Sequence, residues 1–298
     1  MLRKLALFIF APLCGSHAAA QEQPKLLSAA DLANFENPPA GARIQYGDGA
    51  LQFGDLRVPE GPGPHPVAVF IHGGCWLAEY DITHSSKLTA ALARNGIATW
   101  SLEYRRVGDE GGGWPGTFQD IARGTDHLRK IAGEHRLDLD RTISMGHSAG
   151  GHLALWVAAR ARIPAGSPLA SPEPLPVRGV LALAPAADLG YLYEQEVCGH
   201  VIDQLMGGSP ADVPDHYGWG NPMQLAPDGI PQILIIGKYD DFWAPPGRQY
   251  FEAAEKRGDV VRKIEATESG HFEMIDPDSS TWPLVLDAAR DLLNDADF

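Results

Sequence analysis

The sequence predicts an α/β protein with a mostly parallel central sheet, helices on both faces and a small cap insertion. Three observations predict it. Residues 65–72 (HPVAVFIH), 177–185 (VRGVLALAP) and 231–237 (PQILIIG) are continuous apolar runs, the pattern of strands buried on both faces. Segments of helical period separate them, and strands alternating with helices close as parallel βαβ units. With 298 residues, 44% of them hydrophobic and 21% charged, the chain is long enough for one large core.

The first twenty residues read as an address label. Arg3 and Lys4 supply positive charge, residues 5–13 (LALFIFAPL) are apolar, and Ala18 and Ala20 offer a small-residue cleavage site. The apolar run is too short to cross a bilayer of about 30 Å as a helix. A signal peptide over 1–20, a single domain over 21–298 and a periplasmic or secreted location are expected. Cys14 follows Leu13, which does not fit a lipoprotein signal.

Residues 21–40 are polar, contain Pro38-Pro39, and read as a loosely docked leading segment. Residues 42–47 and 51–59 read as an antiparallel pair, followed by the buried strand 65–72. Residues 83–96 have helical spacing and stop at Asn95-Gly96, a good C-cap. Strand 97–104, a helix over 118–135, strand 141–147 and a helix from Ala149 come next. Strand 177–185 precedes a Gly-, Pro-, Tyr- and Trp-rich stretch, 186–227, that breaks the rhythm and reads as the cap over the site. Strand 231–237, helix 248–258, strand 260–266 and helix 283–296 complete the chain.

The formal net charge is −14; without Arg3 and Lys4, 22 basic residues face 38 acidic ones, a net charge of −16. Nucleic-acid binding needs a basic stripe, so neither a nucleic acid nor an anionic membrane surface is an expected partner. No stable membrane insertion is expected after signal cleavage. Two cysteines remain, Cys75 and Cys198. Two residues are no disulfide framework, and pairing needs Cα atoms within about 7 Å. The sequence leans towards unpaired thiols and leaves pairing open.

Residues 144–151 (SMGHSAGG) place Gly146-His147-Ser148-Ala149-Gly150 between a strand and a helix. This is the G-x-S-x-G elbow, where small neighbours let a serine hydroxyl stand proud of the sheet. A serine needs a base, and the base an orienting acid. After such an elbow the acid and then the histidine follow in chain order. Asp240-Asp241 ends a strand 92 residues after Ser148, and His271 follows Asp240 by 31. Asp240 is preferred because the strand end fixes its direction; Asp241 is the alternative. His147 and His152 flank the elbow and are expected to pack or hydrogen-bond there. His127 and His135 are expected to face solvent.

The negative charge of a tetrahedral intermediate must meet preplaced donors. Residues 69–76 (VFIHGGCW) run a strand into a His-Gly-Gly turn, the usual place for such a loop. The amides of Gly74, Cys75 and Ala149 are the expected oxyanion donors, His72 is expected to hold the loop, and Cys75 to pack beside the acyl pocket. Trp114, in GDEGGGWPG, reads as a pocket wall, and the Tyr104-Arg105-Arg106 stretch as a surface pair or, alternatively, as a charge near the site. No H-E-x-x-H or G-x-x-x-x-G-K-[ST] occurs, and GEHRLDLD lacks zinc-ligand spacing. No metal and no cofactor is expected.

HGGCW, GHSAGG, GKYDDFWAP and SGHFEMIDP, in this order over roughly 42–298, resemble the α/β-hydrolase superfamily. H-G-G-x-W with G-H-S-A-G looks like the branch of hormone-sensitive-lipase-like esterases, feruloyl-esterase-like enzymes and kynurenine formamidases. Cys75 departs from the H-G-G-G esterases, and the doubled aspartate is a second departure. The resemblance implies a serine hydrolase acting on a small or aryl carboxylic ester, a small-molecule partner. The alternative is an arylformamidase, against which the export signal counts. A peptidase of the prolyl-oligopeptidase type is less expected, because this sequence shows no large N-terminal propeller, and a noncatalytic binding protein would not need intact Ser, Asp and His.

Overall fold

A computed structural model describes residues 24–294; the expected signal peptide and Cys14 lie outside the described residues. Eight strands form one sheet in the order β1-β2-β4-β3-β5-β6-β7-β8. β1 (Ala42–Gln45) and β2 (Phe53–Arg57) are antiparallel to each other, and β2 is antiparallel to β4 (Ala98–Leu102). β3 (His65–Ile71), β5 (Leu137–His147), β6 (Gly179–Leu183), β7 (Gln232–Gly237) and β8 (Val261–Ala266) run parallel to β4. β5 starts earlier than its apolar pattern, and its pairing with β3 shifts register between Pro66 and Val67.

The buried runs are continuous because both faces of the sheet are covered. On β3, Val67, Val69 and Ile71 enter one core while Ala68 and Phe70 enter the other. α1 (Ser86–Arg94) packs with the second set, through Leu88 and Leu92. α2 (Gly116–Asp126), α3 (Leu128–His135) and α4 (Ala149–Ala159) build the first. α4 is apolar all round apart from His152 and every residue in it is buried, so it forms the centre of that layer. The expected single helix over 118–135 is two helices meeting at His127, with no glycine or proline to mark the break.

The stretch 186–227 carries three short helices, α5 (Leu189–Glu194), α6 (Val201–Met206) and α7 (Pro214–Gly220). Leu192, Val201, Leu205 and Tyr217 bury into the first core, so the stretch is packed rather than loose. α8 (Pro245–Arg257) joins the same layer through Tyr250 and Ala254, and α9 (Trp282–Leu293) covers the other face beside α1. Among the described residues no helix is long and apolar enough to cross a membrane.

Candidate active site

β5 ends at His147 and α4 begins at Ala149, so Ser148 is the whole turn between them. Its backbone sits at φ +56°, ψ −118°, a conformation that side chains rarely adopt. The flanking glycines are close-approach positions. A Cβ on Gly146 would lie 2.2 Å from the Gly150 carbonyl oxygen, and one on Gly150 would lie 2.0 Å from the Ile71 carbonyl oxygen. The start of α4 carries amides with no partner inside the helix, and Ala149 is the first of them.

His271 lies after β8, on the far side of the sheet's centre from the β3 turn. Its Nδ1 donates to Asp240 Oδ2 at 2.7 Å, because a carboxylate oxygen accepts; Nε2 is then the ring's lone-pair nitrogen. Asp240 Oδ1 accepts from the Trp243 amide at 2.9 Å, which fixes the carboxylate plane. Asp240 is buried and Asp241 is exposed, so the geometry pairs His271 with the first of the two aspartates. Ser148 and His271 line one cavity of about 120 Å³. The Ser148 hydroxyl makes no hydrogen bond among the described residues; in unliganded enzymes such bonds are often open and close on substrate.

The turn after β3 is wound tightly. Gly74, Cys75 and Trp76 have φ of +106°, +51° and +56° in succession. A Cβ on Gly74 would meet Tyr80 Cβ at 2.3 Å. His72 braces the turn: its Nδ1 lies 2.8 Å from the Gly73 carbonyl oxygen and its Nε2 lies 3.1 Å from Glu103 Oε1. The Tyr104 hydroxyl donates to the His72 carbonyl at 3.0 Å, and the two rings stack. Glu103 also accepts from the Ile82 amide at 3.0 Å and pairs with Arg106 at 3.0 Å. Burial alone would raise its carboxyl, but His72, Arg106 and the Ile82 amide together hold it below the usual carboxylate range. The Gly74, Cys75 and Ala149 amides donate to no other group among the described residues. Gly74 and Cys75 line the 120 Å³ cavity; Cys75 and Ala149 line a second one of about 10 Å³ that also reaches Ser148 and His271.

The expectations for Cys75, Trp114 and the arginine pair are corrected. Cys75 and Cys198 are bonded, with Cα atoms 5.9 Å apart, so the loop is clipped to the segment between α5 and α6 rather than carrying a free thiol. Trp114 lines neither cavity; it stacks on His216 of α7 at 4.1 Å. The arginine pair is no surface feature: Arg106 is buried against Glu103 and Asp109, and Arg105 holds buried Asp120 at 2.7 Å.

His84, His147 and His152 are bound up in hydrogen bonds. A carbonyl only accepts, so His147 Nε2 donates to the His271 carbonyl at 2.9 Å, and His147 Nδ1 accepts from His84 Nε2 at 3.0 Å. Burial pushes His84 down to about 3 and His147 well below the ordinary imidazole value. Both stay neutral beside His271. His152 Nε2 donates to the Gly220 carbonyl at 2.8 Å, and burial pushes it down to about 4. His127 is half-buried against Trp100 rather than solvent-facing.

Several cavity residues were not read from the sequence: Tyr80, His84, Trp243, Phe272, and Ala29 with Leu32 from the leading segment. Trp243 and Phe272 stand beside Asp240 and His271 in the chain, and adjacency was the available signal. Nothing local marked Ala29 or Leu32. Among the described residues no cluster of three or more His, Cys, Asp or Glu is arranged to hold a metal ion.

Residues 55–248 match the BD-FAE family model. The chain belongs to the BD-FAE family. This is an esterase family of the α/β-hydrolase fold, and it includes the elbow, the β3 turn and Asp240 within the matched span. The Arabidopsis thaliana protein described as a probable isoprenylcysteine alpha-carbonyl methylesterase is 31% identical over 121 residues, 40% of this chain. The match spans a quarter (25%) of that relative's length. Esterase B of Lactobacillus rhamnosis has the same fold, with TM-score 0.74 and 23% identity over 90% of this chain and 89% of its own. A bifunctional GH43-CE protein of Bacteroides eggerthii superimposes with TM-score 0.69 and 23% identity, covering 86% of this chain and 39% of that one.

Proposed function

We propose that the BD-FAE protein described here is a serine hydrolase that cleaves a small or aryl carboxylic ester through an acyl-enzyme. The observation that carries the reading is the hydrogen bond between buried Asp240 and His271, with His271 lining the same cavity as Ser148 and the unengaged Gly74 and Cys75 amides. Ser148 Oγ attacks the ester carbonyl carbon while His271 Nε2 takes the hydroxyl proton. Asp240 keeps that nitrogen free by holding the proton on Nδ1, and stabilises the imidazolium that forms. The carbonyl oxygen becomes an oxyanion, and the Gly74, Cys75 and Ala149 amides are its donors. One such donor is worth about 100- to 1000-fold in rate. The C–O bond to the alcohol then breaks, and His271 returns the proton to the leaving oxygen. Water, deprotonated by His271, attacks the acyl-serine; the C–Oγ bond then breaks, His271 returns the proton to Ser148 Oγ, and the acid leaves.

The small volumes beside Ser148 favour a compact ester. The apolar and aromatic lining of Leu32, Tyr80, Trp243 and Phe272 favours an aryl or alkyl group over a charged one. Export to an oxidising compartment agrees with the Cys75–Cys198 bond. The test is labelling by a fluorophosphonate: wild type is expected to label and Ser148→Ala not to. Equal labelling of the two would refute the nucleophile. Hydrolysis of aryl acetates, feruloyl esters and N-formylkynurenine, compared side by side, separates ester from formamide cleavage. Preference for the formamide would replace the ester reading.

A further inference from the structure

The leading segment forms part of the cavity that contains Ser148. Ala29 and Leu32 lie on a 3-10 turn (Ala29–Asn34) and line the 120 Å³ cavity together with Gly74 and Cys75. They precede the span matched by the family model, which begins at residue 55, so this wall belongs to the chain outside the matched region.

The segment is fastened on both sides of that turn. Glu273, buried, accepts the Leu27 amide on one carboxylate oxygen and the Gly270 amide on the other, the latter at 2.8 Å. Gly270 is the residue before His271. One carboxylate therefore ties the segment to the loop that carries the proposed base. Ser28 and Asp31 close a capping box at the start of the turn. Beyond it, Phe35 packs on the core near α9 and lies under Lys87, which is itself held by Asp276 and Asp278. Arg57 donates to the Pro38 carbonyl at 2.7 Å. Between these fixings only Leu32 and Ala29 face the cavity.

We propose that the segment Leu26–Phe35 is a fixed strap, and that Leu32 and Ala29 set the size of the larger ester substituent the site accepts. This rests on the serine-hydrolase reading. The second cavity at Ser148, about 10 Å³, has room for about one water-sized probe, so the larger group must occupy the strap side. Leu32 is half-buried and packs on the core through one side, so trimming it enlarges the cavity; Ala29 is exposed, so bulk added there intrudes without a fold penalty.

The experiment uses rates of Ser148 phosphonylation by a short-chain and a long-chain alkyl fluorophosphonate, which need no known substrate. Leu32→Ala is expected to raise the long-to-short rate ratio at least fivefold, and Ala29→Trp to lower it by a similar factor. Ala33→Trp is the control, since Ala33 is exposed on the same turn and does not line the cavity; its ratio should match wild type. Glu273→Gln, which leaves one of two amide donors facing an NH₂ group, is expected to speed hydrogen exchange at Leu27 and Gly270 together. Labelling with unchanged ratios in Leu32→Ala and Ala29→Trp overturns the strap proposal alone. No labelling of wild type overturns the serine-hydrolase reading and the strap proposal with it.

Discussion

Cys75 is covalently joined to Cys198 across 123 residues, and the bond lands within the turn that presents the Gly74 and Cys75 amides. Both cysteines sit at positive φ, +51° and +62°. The bond thus links the β3 turn to the stretch between α5 and α6, and both cysteines line the small cavity at Ser148. Two elements far apart in sequence are held in one arrangement around the serine.

Removing this bond is expected to lower both stability and turnover. Closing a loop of this length removes chain entropy from the unfolded state worth up to about 5 kcal/mol in the simplest treatment, and typically about 2–4 kcal/mol. Cys198→Ser should therefore lower Tm by many degrees. At a temperature where the variant is fully folded, kcat should still fall, because the amides of the turn lose their tether. Peptide mapping of unfolded, unreduced protein should find neither Cys75 nor Cys198 free. A variant that keeps wild-type kcat would show that the bond acts on stability alone.

Asp240→Asn should remove nearly all activity and Asp241→Asn very little. The Asn amide at position 240 would offer His271 Nδ1 a donor or a neutral oxygen, so the ring loses the preference for its proton on Nδ1. In serine hydrolases of this design that loss is about 10⁴-fold in kcat. Asp241 is exposed, and its neutralisation should change kcat/KM less than about threefold. Steady-state kinetics on one aryl ester decide it. A larger loss from Asp241→Asn would reverse the assignment.

The sequence made this pairing half legible. The strand 232–237 fixes where Asp240 leaves the sheet, and Gly270 marks the loop of His271, so the order and the candidates were readable. Which of two adjacent aspartates turns inward was readable only as a preference for Asp240, because it depends on the Trp243 amide donating to the Asp240 carboxylate. The glycine-bounded elbow was readable because its requirement is local and steric. The leading segment's place was not: Ala29 and Leu32 reach the cavity through distant partners such as Glu273, some 240 residues later. The same holds for Glu103, whose part in bracing His72 depends on β4 lying beside β3. The helix break at His127 was not legible because no glycine or proline marks it and its backbone stays helical, at φ −62°, ψ −23°.

Stability should fall as pH is lowered from about 6.5 towards 4. His84, His147 and His152 are held neutral by burial, with His84 at about 3 and His152 at about 4. In the unfolded chain each titrates near 6.5. Between the two values the unfolded state binds more protons, so the folded state is progressively disfavoured as pH drops. The stability is complete above the unfolded value and is lost down to the folded one. His152 alone accounts for about 3 kcal/mol at the acid end. Urea midpoints at pH 7.5, 6, 5 and 4 should decline in that order, and His152→Gln, which can still donate to the Gly220 carbonyl, should flatten the decline. A midpoint independent of pH over this window would refute the buried neutral assignment.

Two glycine substitutions should move stability in opposite directions, and together they test the packing at the elbow. Gly150 lies where α4 meets the end of β3: a Cβ there would sit 2.0 Å from the Ile71 carbonyl oxygen and 2.6 Å from that of His72. These are backbone atoms at the end of a central strand and in the turn that follows it, and they cannot swing aside. Gly150→Ala must push the helix off the sheet at the point where Ser148 is presented, so little folded protein is expected. Gly133, in α3, meets nothing within 4 Å at the same constructed position. There an alanine removes only the conformational freedom of the unfolded chain and should add up to about 1 kcal/mol. Denaturant unfolding reads both. If Gly150→Ala folds with wild-type stability, helix and strand are not in backbone contact at the elbow, and the small-residue requirement around Ser148 has another origin.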